Sequence, residues 1–284
     1  MIVDFHVHST ASDGTESPAA VARRVRPFAA AALTDHDNCD GTAEFLGSGE
    51  GGVCRLFSGI ELSIDPGCGF DKFHLLGLGV DPQDEGLGKF LRRVLAGRND
   101  RNRKILENFR RIGIGIDGGD IAGYAHGEVL ARPHFARWLV VHGFAPDVKS
   151  AFAKYLMPDS PKETRCYEER WHPDQEEAFS VVHGAGGLCV MAHPKYWRNS
   201  WKREGCDFAA AKRALAALKE KGLDGLEALY EANLPVEDVE FSRIAGELGL
   251  LKSAGSDFHG ENKPKISLGM EVSENFIAPL LERL

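Results

Sequence analysis

The sequence predicts an α/β protein with a barrel-like set of strands and a helical insertion. Three observations lead there. Short apolar runs alternate with helical patterns, the rhythm of βαβ units and a largely parallel sheet or barrel. Seven or so such runs occur along the 284 residues, enough for a barrel rather than a small open sheet. Between Leu87 and Asp159 the rhythm breaks into helical patterns with no convincing strand.

In chain order the expected strands are IVDFHV (2–7), AAAAL (29–33), RLFSGIEL (55–62), FHLLGLGV (73–80), GLCVMA (187–192), GLEALY (225–230) and LLKSAG (250–255), with SLGMEV (267–272) as a candidate last one. SPAAVARRVRPF, FAAAKRALAALKEKG and PVEDVEFSRIAGELG read as helices with polar starts, and the last two stop at glycine. Residues 1–86 and 160–284 are therefore expected to form the main domain, and 87–159 a helical insertion that could roof its mouth. KFLRRVLAGRNDRNRKILENFRRIG, RPHFARWLVVHG and DVKSAFAKYL carry the insertion's helical patterns.

The composition, 43% hydrophobic and 27% charged, is that of a globular chain able to bury a core. A formal net charge of −8 disfavours diffuse binding to duplex nucleic acid or to an anionic membrane surface. No secretory signal pattern and no apolar run of membrane-spanning length is present, so a cytoplasmic location is expected. Cys39, Cys54, Cys68, Cys166, Cys189 and Cys206 lie far apart without a C-x-x-C pair, which fits reduced packing thiols.

The chemistry gathers at strand ends. In IVDFHVH the two-residue period sends Asp4, His6 and His8 to one face, and Asp13 follows closely. Asp35, His36 and Asp37 close the second run, Glu61 lies in the third, His74 opens the fourth, His193 follows GLCVMA, and Asp257 and His259 follow LLKSAG. Parallel sheets and α/β barrels collect their chemistry at the carboxyl ends of strands, so these residues are expected to converge.

The motifs DFHVHS, TDHD, GIELS, FHLLG, AHP and GSDFH occur in that order over nearly the whole chain, and with them the sequence resembles the PHP (polymerase and histidinol phosphatase) metal-dependent phosphoesterases. The helical break is similar to the insertion of that family's nucleotide- and RNA-end-processing branch. The resemblance implies a distorted (β/α)7 barrel and two to three divalent metal ions. One would use His6, His8, Glu61 and Asp257; a second would share Glu61 and add His74 and His193; a third would take Asp13, His36 and His259. A ligand set of imidazole and carboxylate without thiolate suits Mn²⁺, Fe²⁺ or Zn²⁺. The implied reaction is attack of a metal hydroxide on a phosphate ester of a nucleotide or short oligonucleotide. The examples are the 3′-phosphate of a nucleoside 3′,5′-bisphosphate and the 5′ end of RNA. A histidinol-phosphate-type phosphatase, a C–N bond amidohydrolase on the same barrel, and a non-catalytic metal-binding module are the competing readings.

Three further residues are candidates for handling substrate. Arg132, ahead of a helix-starting proline, could clamp a phosphate, and His134 could protonate a leaving oxygen. Lys195 leads the basic and aromatic segment HPKYWRNSWKRE, which either holds a nucleotide or is a solvated loop. The arginine run from Arg92 to Arg111 reads as a solvated helix face and is left out of the site. Asp4 is a candidate to orient a histidine ligand, and Asp35 and Asp37 read as turn or supporting residues.

Overall fold

The computed structural model describes residues 1–49, 51–67, 72–124, 130–197 and 207–284. Its strands are β1 (Ile2–Val7), β2 (Ala30–Leu33), β3 (Arg55–Phe57), β4 (Gly59–Ile64), β5 (Phe73–Leu78), β6 (Leu188–Met191), β7 (Gly225–Tyr230), β8 (Leu251–Gly255) and β9 (Met270–Glu271). They form two sheets, ordered β3-β2-β1-β9 and β4-β5-β6-β7-β8. Pairing is parallel at β1–β2, β2–β3, β6–β7 and β7–β8, and antiparallel at β4–β5, β5–β6 and β1–β9, so the fold is mixed α/β.

The segment RLFSGIEL, read from sequence as one strand, is divided at Ser58, and its halves join different sheets. A side chain at Gly59 would lie 2.7 Å from Thr34 Cγ2 and 2.8 Å from the Leu33 carbonyl oxygen. Only glycine lets the chain pass that closely over the end of β2 as it changes sheet. The two sheets abut at β1 with β8 and at β2 with β4, where isolated pairs link Val7 to Phe258 and His36 to Glu61. Among the described residues hydrogen bonding does not close them into one barrel. At Gly255 a Cβ would collide with His6 Cβ and Glu227 Oε1, so the missing side chain allows β8 to press against β1.

Strand alternation in β1 places Val3 and Phe5 in a core with Leu76, Leu78, Val190 and Ala254. The opposite face is left for Asp4 and His6. Helices α1 (Pro18–Val25) and α2 (Thr42–Gly47) cover the first sheet. α7 (Gln175–Gly184), α8 (Phe208–Glu220) and α9 (Pro235–Leu248) cover the second, and α10 (Glu274–Leu281) packs on β8. Between β5 and β6 run α3 (Glu85–Arg111), α4 (Gly118–Ala122), α5 (Arg132–Val141) and α6 (Val148–Ala151), the last continued by a π-helical turn, Phe152–Leu156.

α3 is 27 residues long and serves two cores. Its early residues Leu87, Phe90 and Val94 pack with the second sheet and α7. Ile105 and Phe109 join a separate core with Ile121, Phe135, Trp138 and Leu156. Arg98, Arg101 and Asn102 occupy the same buried stripe between the two. No helix among the described residues is long and apolar enough to cross a membrane.

Candidate metal centre

Glu61, in the middle of β4 and 1% exposed, is the hub on which imidazoles converge. Its Oε2 lies 3.2 Å from His6 Nε2, 3.0 Å from His8 Nε2 and 3.0 Å from His36 Nδ1. Its Oε1 lies 2.6 Å from His74 Nδ1 and 3.1 Å from His193 Nε2. Asp257 Oδ1 completes one side, 3.6 Å from His6 Nε2 and 3.5 Å from His8 Nε2. Asp13 and His259 meet at 3.2 Å on the other, and Asp13 Oδ2 is 3.9 Å from His36 Nε2.

The set His6, His8, Glu61 and Asp257 has ligand atoms all within 4.8 Å of one another. So does the set Asp13, His36 and His259, with His8 added. In the remaining set His74 and His193 both reach Glu61 Oε1, and His36 also groups with Glu61 and His74.

These residues fit divalent cations. His6 Nε2, His8 Nε2, His36 Nδ1, Asp13 Oδ1 and Glu61 Oε2 are buried and have no hydrogen-bond partner. Leaving so many polar atoms dry and unpaired is costly, about 1–3 kcal/mol each. Metal–ligand bonds of about 2.0–2.2 Å would hold donor atoms roughly 3.0–3.5 Å apart, close to the separations seen. Burial opposes ionisation of Glu61, yet the surrounding His36, His6 and His74 hold its carboxyl well below the usual range. Burial likewise opposes ionisation of Asp257, and Lys263, His259 and His6 outweigh it.

Local backbone geometry places the candidate ligands. Among the described residues the non-glycine positions with positive φ are Asp37 (55°), His193 (26°) and Asp257 (59°), and all three belong to this site. Such conformations are held by surrounding contacts and gather where side chains must be aimed. Asp257 N–H donates to the His6 carbonyl, and Asp37 N–H donates to the Glu61 carbonyl.

The carboxylate that orients His6 is Glu227 on β7, absent from the sequence expectations: its Oε1 lies 2.9 Å from His6 Nδ1. Its Oε2 accepts the His193 N–H at 2.5 Å. Asp4 has another task. It accepts from Ser256 Oγ at 2.6 Å, Ser256 N–H at 3.0 Å and Gly269 N–H at 2.8 Å, and so ties β1 to the segments around β8 and β9. Asp35 braces the loop after β1 by accepting from Ser9 and Ser12.

Two cavities flank the cluster. One, of about 360 Å³, is lined by Asp13, His36 and His74 and by four guanidinium groups, Arg98, Arg101, Arg132 and Arg170. Arg98 and Arg170 share the buried Asp37 carboxylate, at 2.5 and 2.8 Å. Arg101 is 5% exposed and its Nη2 has no partner. Burial, then the neighbouring Arg98, Arg170 and Arg132, weaken its hold on the proton. The arginine run left out of the site therefore supplies two of its walls. The apolar spacing of 87, 90, 94, 98, 101, 105 and 109 carried that signal, because it puts Arg98 and Arg101 on the inward stripe. The second cavity, of about 540 Å³, is lined by Phe73, Tyr196 and Tyr230 with His193, Asp257 and Lys263.

The three substrate-handling candidates separate. Arg132 lines the arginine cavity, its guanidinium near the Tyr167 and Phe152 rings. His134 does not reach it: 3% exposed, it accepts the Ala131 N–H on Nδ1 at the start of α5, because proline at position 133 turns the next residue back onto the helix entry. Lys195 turns away as well, with Nζ 2.9 Å from Glu237 Oε2 and donating to the Ala232 carbonyl. Arg198, Trp201, Lys202 and Arg203 lie outside the described residues, as do Cys68 and Cys206. Trp197, 2% exposed, packs against Phe73 and belongs to the core.

Fold and site together define a hydrolase of the metal-dependent phosphoesterase class. No protein-family model matches the chain. It is 33% identical over 270 residues to a 3′,5′-nucleoside bisphosphate phosphatase of Chromobacterium violaceum, covering 90% of this chain and 87% of that protein. It is 30% identical to the 5′-3′ exoribonuclease Rnm of Escherichia coli, over 96% of this chain and 89% of that one. The chain belongs to the PHP family of metal-dependent phosphoesterases, in the branch that holds these two relatives. Two solved structures are similar over 99% of the chain and 96% of their own. One, from Chromobacterium violaceum, is described as an amidohydrolase with sulfate bound and no metal (TM-score 0.84, 29% identity). The other, from Bifidobacterium adolescentis, is described as a metal-dependent phosphoesterase (TM-score 0.81, 27% identity).

Proposed function

We propose that this phosphoesterase acts on nucleotides or short oligonucleotides, removing the 3′-phosphate of a nucleoside 3′,5′-bisphosphate or trimming RNA from its 5′ end. The observation that carries the reading is the group of four guanidiniums around a cavity that opens onto the ligand residues. Arg98 and Arg170 are held by Asp37, so a substrate with a second phosphate away from the scissile ester would be taken by Arg101 and Arg132, whereas an amide or a compound with one phosphate would leave the buried Arg101 Nη2 without a partner. Tyr196 and Tyr230, in edge-to-face contact with ring centroids 5.9 Å apart, line the second cavity and offer faces for a base or sugar. The substrates named for the relatives point the same way.

Two to three divalent cations, Mn²⁺, Fe²⁺ or Zn²⁺, would be held by His6, His8, Glu61 and Asp257, by Glu61 with His74 and His193 or His36, and by Asp13, His36 and His259. When bound they supply Lewis acidity and lower the pKa of bound water to about 7. Glu227 fixes the ring of His6, Arg101 and Arg132 orient phosphate, and Asp37 spaces Arg98 from Arg170. His134 acts through the entry of α5 rather than on the leaving oxygen. The abutting sheets support an opened, distorted (β/α)7 barrel made by 1–86 and 160–284, with 87–159 as the insertion that brings Arg98, Arg101 and Arg132 over its mouth. Free thiols at Cys39, Cys54, Cys166 and Cys189 are in keeping with a cytoplasmic setting.

The test is a substrate panel assayed with Mn²⁺: a nucleoside 3′,5′-bisphosphate, a short 5′-phosphorylated RNA, a nucleoside monophosphate, histidinol phosphate and an amide. The bisphosphate or the RNA should give the highest kcat/KM, and Arg132→Ala should cost about tenfold or more of it through KM. Turnover of histidinol phosphate or of the amide alone overturns the proposal.

A further inference from the structure

Lys263 stands where the ligand cluster meets the second cavity. Its Nζ is 2.5 Å from Asp257 Oδ2, an oxygen that also accepts from Tyr230 Oη at 3.1 Å. The other oxygen of Asp257, Oδ1, faces His6, His8 and His259. One carboxylate thus divides its work, one oxygen toward the cluster and the other toward an ammonium. The lysine is not lost to that pair: its side chain is 39% exposed, against 5% for Asp257, and it lines the 540 Å³ cavity beside His193. An ammonium has three donors, so one bond to Asp257 leaves others to face the cavity.

Its position is fixed by the loops that carry the ligands. Glu261 N–H donates to Thr15 Oγ1 at 2.9 Å, Asn262 Nδ2 donates to the Asp13 carbonyl at 2.6 Å, and Lys263 N–H closes a turn onto Gly260 at 3.1 Å. The other lysine lining this cavity, Lys72, is paired with Glu169, with Asp65 at 3.7 Å. Lys195 is directed to Glu237.

We propose that Lys263 is a substrate-contacting residue: an ammonium anchored by the outward oxygen of Asp257 that takes hold of a phosphate oxygen at the boundary between the cluster and the tyrosine-lined cavity. This rests on the phosphoesterase reading of the site but not on which ester is hydrolysed. When Asp257 Oδ1 engages a cation, less of the carboxylate's charge is available to the lysine, and its attraction for a phosphate rises.

The probe is inorganic phosphate, titrated calorimetrically into manganese-loaded protein, with metal content measured on the same samples. Lys263→Met should bind phosphate about tenfold or more weakly than the parent while retaining the same manganese, and Lys263→Arg should stay within about threefold. Unchanged phosphate binding at equal metal content overturns the proposal. So does a parallel loss of manganese, which would make Lys263 a support for Asp257 only. Should Lys263→Met not fold, Lys263→Gln keeps a donor for Asp257 without the charge and reads the same difference. Phosphate binding is independent of the substrate panel, so failure there leaves this result interpretable.

Discussion

Glu227 is a fully buried carboxylate whose partners are a histidine ring nitrogen and a backbone N–H. With His6 Nδ1 donating to Glu227, the lone pair of His6 Nε2 is left pointing at Glu61 and Asp257. That is how a carboxylate behind a histidine sets its tautomer and raises its basicity as a ligand. Glu227→Gln keeps the shape and removes the charge. It should weaken Mn²⁺ binding by about 10–100-fold in a titration of the metal-free protein, with the circular dichroism spectrum unchanged. Equal affinity would mean that packing alone orients the ring. From sequence Asp4 is the candidate for this role, since it shares a strand face with His6. Periodicity tells which face a residue occupies but not what the neighbouring strand brings to it, and Ser256 reaches Asp4 first.

The helix α3 shows the same limit at the scale of an element, and a different cost. Strand ends were legible because short apolar runs stop abruptly at His, Asp or Glu, and β1 and β7 span Ile2–Val7 and Gly225–Tyr230 as their patterns require. α3 was legible as a helix, but its arginines were not legible as a site, because a run of charge resembles a solvated face. Their register decides: Arg98 and Arg101 continue the stripe of Leu87, Phe90 and Val94. Burying Arg101 beside three other guanidiniums costs stability that its bond from Nε to Asn102 Oδ1, at 2.9 Å, offsets only in part, since Nη2 has no partner. Arg101→Met should therefore raise stability by about 1–3 kcal/mol in denaturant unfolding. The same change should raise KM for a doubly phosphorylated substrate. If stability falls instead, the guanidinium is satisfied within the fold and the cavity is not built for an anion.

At the scale of the whole molecule, the nine candidate ligands are distributed across both sheets: β1, the ends of β2, β6 and β8, the loop after β1, and β4 and β5. Among the described residues backbone pairing between the sheets is confined to isolated bridges, and one of these joins two candidate ligands, His36 and Glu61. Cations held by the cluster would therefore clamp the sheets together where the hydrogen-bond ladder is interrupted. The order of the six motifs was readable along the chain, whereas the interruption was not, since it depends on a glycine at position 59 that in sequence looks like a mid-strand residue. A ligand that binds only the folded state stabilises it by about 2.7 kcal/mol at a hundred times its Kd and about 4.1 kcal/mol at a thousand times. For a chain of this length that corresponds to a shift of roughly 4–8 °C in Tm. Chelation with EDTA should lower the melting midpoint of the manganese-loaded protein by that amount, and excess Mn²⁺ should restore it. Glu61→Gln, which removes the charge at the hub, should show a smaller Mn²⁺-dependent shift than the parent. Loss of activity on chelation with no change in the midpoint would show that the cations serve the chemistry without bracing the two sheets.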